Sequence, residues 1–205
     1  YASCSNYWKY SSEQNKALEN LNTMQIKKDI ERDFMNWAQG KDPKYRKSLD
    51  LIRDLTPPDQ WMNTIPSYSM WWIIDHAQWY RQTGDLAYLA EQKDYLSALL
   101  PFLLSHIRQD GTHTIQNAFV DWSSNNTPYM EAGLNAMLVL SLEAGAEIMD
   151  VLGDGALAAR CRDAVPLLRR HAYNYAGNKQ VAGLVALAGI ADAKKINDEV
   201  LSVGG

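Results

Sequence analysis

The sequence predicts an all-α fold built from repeated helical hairpins. Helix formers such as Ala, Leu, Glu, Gln and Met are abundant, and no window alternates apolar and polar residues as a half-buried strand would. Apolar residues recur instead at three- and four-residue spacing. A short stop-and-restart motif, a Gly followed by an Asp, also appears twice between long helical segments, at Gly84-Asp85 and again at Gly153-Asp154, 69 positions on.

The elements follow from these signals in order. From about Glu13 to Ala38, residues Leu18, Leu21, Ile26, Ile30, Phe34 and Trp37 fall near one helical face. Gly40 ends that helix, Asp42 caps the next, and Pro43 suits a first helical turn. The helix from Pro43 to Asp54 must end before Pro57-Pro58. A second unit runs from about Tyr68 to Gln82, breaks at Thr83-Gly84-Asp85, and resumes from Leu86 to about Ile107 with Pro101 as a candidate kink. Gly84 supplies a left-handed stop and Asp85 an N-cap. Leu152-Gly153-Asp154 joins helices expected at Tyr129–Leu152 and Gly155–Tyr173 in the same way, and a last helix is expected over Lys179–Val203.

Within each pair the two helices differ in kind. Met70–Ile74 and Ala136–Leu142 are apolar on nearly every side, as buried helices are. Leu157, Cys161, Val165 and Leu168 instead form one stripe, with Arg160, Arg162, Asp163, Arg169 and Arg170 around the remainder. Each hairpin therefore has an inner and an outer helix. Such hairpins build an open α-solenoid or part of a closed (α/α)6 toroid.

Bulk properties exclude several functions. With 205 residues, 46% of them hydrophobic, the chain suffices for one well-cored domain, taken as 1–205. A net charge of −4 and basic runs no longer than Lys27-Lys28 and Arg169-Arg170 argue against nucleic acid and anionic membrane as partners. No apolar stretch approaches the roughly 18 residues of a membrane span; the longest candidates, around Ala136–Leu142 and Val181–Ile190, are of helix-core length. Cys4 and Cys161 are too isolated to suggest a disulfide framework or zinc site and read as free thiols, so no metal or organic cofactor is implied. Asn125-Asn126-Thr127 fits a glycosylation acceptor only in a secreted protein. Tyr1 is not an initiator Met, no targeting peptide follows it, and the last residues carry no capping element, so the chain reads as an internal piece of something longer.

Two segments stand out for chemistry. In 62–80, Trp71, Asp75 and Trp79 are spaced i, i+4, i+8, as are Trp72, His76 and Tyr80. They read either as an aromatic wall with a polar anchor or, for most of them, as core with the polar groups hydrogen-bonded to neighbouring helices. The second segment is Ala118-Phe119-Val120-Asp121-Trp122, where an apolar anchor is followed by an acid and an indole. An indole face stacks on the C–H groups of a sugar ring, and a carboxylate accepts from sugar hydroxyls. The competing reading is a Trp plug and an Asp capping the turn at Ser123 or Ser124. Asp85 and Asp154 are explained as caps, Glu131 as a partner of the helix dipole that also points towards the mouth, and His113 as a loop residue after the turn at Asp110-Gly111-Thr112.

The stretch 65–89, "IPSYSMWWIIDHAQWYRQTGDLAYL", followed by Phe119-Val120-Asp121-Trp122 and the helix 142–154, resembles the bacterial α-L-rhamnosidases over about residues 62–170. The points of contact are Pro66-x-Tyr68-Ser69, Tyr80-x-x-Thr83-Gly84-Asp85 and Phe119-x-Asp121-Trp122, in that order and spacing. The resemblance implies a six-hairpin α/α catalytic domain acting by inversion on terminal α-L-rhamnosides, with a rhamnose-containing glycoside as partner. It places Trp122 against the bound sugar, Asp121 beside it, and Trp71, Trp72 and Asp75 as further candidates for the pocket wall. The family's general-acid motif has no counterpart in residues 1–40, and its general base belongs to a later hairpin. The acid is therefore expected before Tyr1 and the base after Gly205, leaving a chain that is inactive alone and that dimerises or stays with the rest of its parent to cover apolar faces. The compartment stays open between bacterial cytoplasm and periplasm or secretion. Two other functions fit the same residues: a different toroid glycosidase or unsaturated-uronide hydrolase working through Asp75, Asp121 or Glu131, and a non-catalytic helical-repeat binding protein.

Overall fold

The computed structural model describes residues 43–116, 119–121, 125, 127–171 and 173–203, with backbone alone for 43–48. The expected helix from Glu13 to Ala38, its Gly40 stop, the Asp42 cap, Cys4, Trp122, Ser123, Ser124 and Asn126 lie outside these residues. The chain divides into two compact units, Tyr1–Tyr45 and Arg46–Gly205, and the second is the one considered from here on.

All regular elements among the described residues are helical, as the sequence predicts. Helix α1 spans Pro43–Asp54 and is followed by a 3-10 turn at Met62–Thr64; α2 is Pro66–Thr83, α3 Leu86–Glu91, α4 Lys93–Ser105, α5 Met130–Val151, α6 Gly155–Arg170, α7 Lys179–Leu187 and α8 Ala193–Ile196, which runs into a π turn at Asn197–Leu201. The lone extended pairing among the described residues is one antiparallel bridge, Ile107 to His113.

The Gly–Asp step works as expected at both positions. Gly84 and Gly153 sit at φ +65° and +79°, and Asp85 and Asp154 accept from the backbone N–H groups of Tyr88 and Leu157. Two expected helices are broken. The segment from Leu86 to Ile107 is divided at Gln92 and not at Pro101, which α4 carries in its interior. Tertiary contacts make that break: Gln92 is buried, and its Oε1 accepts from Arg53 Nη1 at 2.6 Å. The segment from Lys179 to Val203 is interrupted at Gly189, left-handed at φ +62°, and restarts at the Asp192 cap, which accepts from Lys195 N. Helix α6 also stops at Arg170, short of Tyr173, where His171 turns extended.

Burial separates inner from outer helices. In α5, 15 of 22 residues are buried, against 6 of 16 in α6. Each fully buried Leu or Met of α5, such as Leu134, Met137, Leu138 and Leu142, contributes about 1.5–3 kcal/mol. By length and composition α5 could cross a membrane, which corrects the expectation that no segment approaches that length; Glu131, Glu143 and Glu147 interrupt the apolar run without shortening the helix. Its most apolar stretch is 83% buried inside the protein, packed against α2, α6 and α7.

Helices α2, α5 and α7 run parallel. Near their N-terminal ends, Ser67 of α2 donates to the Phe119 carbonyl at 2.5 Å, while Val120, the next residue, packs on Gly133 of α5. At the opposite ends, Arg81 of α2 pairs with Glu147 of α5. Gly133 also meets Val181, near the start of α7. Further along, Arg169 of α6 donates both to Glu143 of α5 and to the Ala188 carbonyl at the end of α7. Helix α4 runs the other way, for Lys93 at its start donates to the Leu152 carbonyl at the end of α5.

Candidate functional site

The parallel packing collects the N-terminal ends of α2, α5 and α7 at one end of the unit, the end at which the sequence leads one to expect a mouth. The segment Phe119-Val120-Asp121 is tied across it by the Ser67 hydrogen bond and the Val120–Gly133 contact. The Val120 contact accounts for one of the apolar residues in this segment; the Ser67 bond goes to the Phe119 backbone carbonyl. Val120 packs on the start of α5, and Asp121 follows it, half-buried. A side chain on Gly133 would crowd Val120, since a Cβ there falls 3.1 Å from its Cγ2. The approach to α2 is strained. Asn63 and Thr64 take left-handed φ values of 51° and 61°, an arrangement costing on the order of 1–3 kcal/mol per residue and uncommon for a β-branched Thr.

The tryptophans of α2 have different surroundings. Trp71 is 39% exposed, whereas Trp72 is 2% exposed and donates its indole N–H to the Leu49 carbonyl at 3.3 Å. Its ring packs on His76 and Tyr95, so Trp72 belongs to the core and Trp71 keeps an open face beside exposed Tyr68. Trp79 is buried as well, because a position eight residues on has turned about 80° around the helix from Trp71.

Asp75 and His76 are adjacent and opposite in environment. Asp75 is half-buried one turn after Trp71, and burial pushes its carboxyl up to about 6. His76 is fully buried. Its Nδ1 lies 2.7 Å from the Trp72 carbonyl and its Nε2 3.3 Å from the Tyr88 hydroxyl. Burial pulls the imidazole down to about 4, only partly offset by the bond to Trp72. His76 is thus a neutral core residue, and Asp75 is the ionisable group that still reaches water.

A second constellation brings together two residues that the sequence gives separate, ordinary roles. The turn from Arg108 to Thr112 is closed by Arg108 N–H donating to the Thr112 carbonyl at 2.8 Å, and Asp110 Oδ1 accepts from Thr112 N at 2.9 Å. Gly111, at φ +83°, lies against the Leu167 carbonyl of α6, where a Cβ would fall 2.2 Å from the oxygen. Held by this turn, His113 has a side chain only 1% exposed, and its Nε2 stands 3.2 Å from Glu131 Oε2 in the first turn of α5. The Glu131 side chain is 50% exposed. The distance suits an ion pair, yet burial lowers His113 and raises Glu131, each towards its neutral form. Neither ring nitrogen of the enclosed imidazole has a hydrogen-bond partner, so the two side chains are close neighbours and not a hydrogen-bonded pair. Tyr173 closes over His113 with ring centroids 6.0 Å apart. No periodicity links residues 113 and 131 across the intervening loop, so sequence alone gave no signal for the pair.

Elsewhere, an open depression of about 680 Å³ is lined by Arg53, Leu55, Pro58, Asp94 and Tyr95. It lies by the start of α4, away from the mouth, and its Arg53 is already held by Asp50, Asp54 and Gln92. Among the described residues no group of three or more His, Cys, Asp or Glu side chains could hold a metal ion. Cys161 is a buried free thiol, pushed up to about 11 by burial. Comparison of the chain with protein-family models, with curated proteins and with solved structures gives no match in any of the three.

Proposed function

We propose that this chain forms part of an (α/α)6 toroid glycoside hydrolase of the α-L-rhamnosidase type and supplies wall to its sugar pocket. The observation that supports the reading is the tie of the Phe119 carbonyl and Val120 to the N-terminal ends of α2 and α5, beside which Asp121 follows. Trp122, the next residue in the sequence, would stack on a sugar ring, and Asp121 would accept from its hydroxyls. Trp71 is the second aromatic candidate because its face is open. In the assembled enzyme, one carboxylic acid protonates the glycosidic oxygen while a second carboxylate activates water from the opposite face, the two roughly 6.5–9.5 Å apart. Both lie outside this chain in the proposal, so the chain positions substrate and leaves the bond to others.

An NMR titration of the 205-residue chain with L-rhamnose tests the reading. Saturable binding in the millimolar range is expected, with loss in Trp122→Ala at unchanged melting temperature. Absence of binding by the unaltered chain, or binding indifferent to Trp122, would refute it. Asp75 favours one rival, a toroid hydrolase in which a carboxyl raised to about 6 serves as the proton donor. That rival requires measurable glycoside or unsaturated-uronide hydrolysis by this chain, abolished in Asp75→Asn.

A further inference from the structure

We propose that the hairpin from His106 to Thr114 is an acid-released latch, seated on α6 and α5 while His113 is neutral and let go when His113 takes a proton. The proposal stands apart from the sugar-pocket reading. Three of the chain's four histidines gather here, His106 and His113 on the two arms of the hairpin and His171 directly after α6. The hairpin carries its own shape. Thr114 N–H donates to the His106 carbonyl and Arg108 N–H to the Thr112 carbonyl, each at 2.8 Å, around the Ile107–His113 bridge. Arg108 Nη1 donates to the His113 carbonyl at 3.1 Å, and Asp110 Oδ1 accepts from the Thr112 N–H and hydroxyl. The seat has a different origin. Gly111 lies against the Leu167 carbonyl of α6, and the enclosed His113 side chain stands beside Glu131 of α5 and Tyr173. A loop whose shape and seat are made by different groups can leave the seat without coming apart.

Neither ring nitrogen of His113 has a hydrogen-bond partner. A proton would add a charge and a second N–H donor to the same enclosed space. The groups that face the ring do not hold that charge in place. From the hairpin come Arg108, which repels it, His106, and Asp110, an acid already accepting from Thr112. From α5 comes Glu131, whose Oε2 lies 3.2 Å from Nε2 but whose carboxyl is pushed by burial towards its neutral form. After α6 come His171 and the Tyr173 ring. Burial, helped by Arg108, His106 and His171, outweighs Glu131 and lowers the His113 imidazole. The released ring therefore binds its proton more tightly than the seated one. The seat is fully present above 6.5 and weakens as pH falls below it.

Hydrogen exchange followed by NMR on the whole chain tests this, with rates referred to those of the unfolded chain at each pH. Between about pH 7 and about pH 5 the Arg108, Gly111 and Thr114 amides should lose protection by on the order of 10-fold. They should stay less protected than Met137 to Leu142 of α5, which report global unfolding. In His113→Leu, which fills the seat with a group that takes no proton, the loss should vanish. In the unaltered chain the His113 ring C–H resonance should titrate with a midpoint below 6.5, in step with the amides, a readout that serves even where the variant does not fold. Loss that persists in His113→Leu would overturn the latch, as would a midpoint at or above 6.5. Protection gained in acid would overturn it by showing that protonated His113 pairs with Glu131. Hairpin and α5 amides falling to one common protection would overturn it as well, by making the event global unfolding.

Discussion

Asp75 and His76 place two opposing pH dependences on adjacent residues of α2. Burial raises the Asp75 carboxyl from 3.8 to about 6 and lowers the His76 imidazole from 6.5 to about 4. For Asp75 the folded state binds its proton more tightly than the unfolded chain does. Its contribution to stability is complete below about pH 4 and is lost as pH rises towards 6. For His76 the unfolded chain binds the proton more tightly, so stability is lost as pH falls from 6.5 towards 4. At about 1.4 kcal/mol per pH unit, the His76 effect reaches roughly 3 kcal/mol. The Asp75 effect is smaller, about 1–2 kcal/mol after allowance for the part of its carboxylate that water still screens. The two therefore partly cancel in the unaltered protein. Asp75→Asn keeps the shape and removes the charge. Urea unfolding at steps from pH 4 to pH 7 should show the variant equal to the parent near pH 4 and more stable by about 1–2 kcal/mol at pH 7. His76→Gln should show a deficit that widens over the same range. An Asp75→Asn advantage that stays constant with pH, or shrinks as pH rises, would refute the argument that burial sets this carboxyl.

Other substitutions probe the packing. Gly111→Ala faces both a left-handed backbone and a Cβ driven onto the Leu167 carbonyl, which cannot rotate aside; a loss of about 2–4 kcal/mol is expected in denaturant unfolding. Gly145→Ala in α5 should change sign with its neighbour. Its Cβ would fall 2.4 Å from the Leu100 Cδ2 in a core where Leu100 is fully buried, so overpacking of about 1–3 kcal/mol outweighs the roughly 1 kcal/mol gain in helix propensity. In a Leu100→Ala background the clash is gone, and the same substitution should stabilise. Equal effects in the two backgrounds would show that the contact is not the cause.

What the sequence revealed depended on how local the responsible chemistry is. Gly84-Asp85 and Gly153-Asp154 are self-contained: a left-handed glycine ends one helix and a carboxylate two or three atoms away starts the next. Gly189 and Asp192 use the same chemistry with a wider gap, and the signal was present though the segment from Lys179 to Val203 was read as continuous. The break at Gln92 had no local signal, because Arg53, 39 positions back, captures its side chain. Pro101, the obvious candidate, is carried within α4. Choosing between Trp71 and Trp72 required knowing what covers each, and Leu49 and Tyr95 supply the cover for Trp72. The packing of Val120 was legible as part of an apolar pair ahead of an acid. The closeness of Glu131 to His113 was not, since it depends on a turn locked against α6.

The two ends of the three-helix row differ in how their connections are committed. At the Gly84 and Gly153 end, helix is joined to helix by the shortest possible links, each fixed by two residues. At the other, α4 ends at Ser105 and α5 begins at Met130. Gly111, His113 and Val120 on that connection are committed to packing on α6 and α5, so it cannot be rebuilt without touching those helices. In the proposed reading, recognition and assembly therefore share one connection, so a change in what it would bind is also a change in how the helices stack.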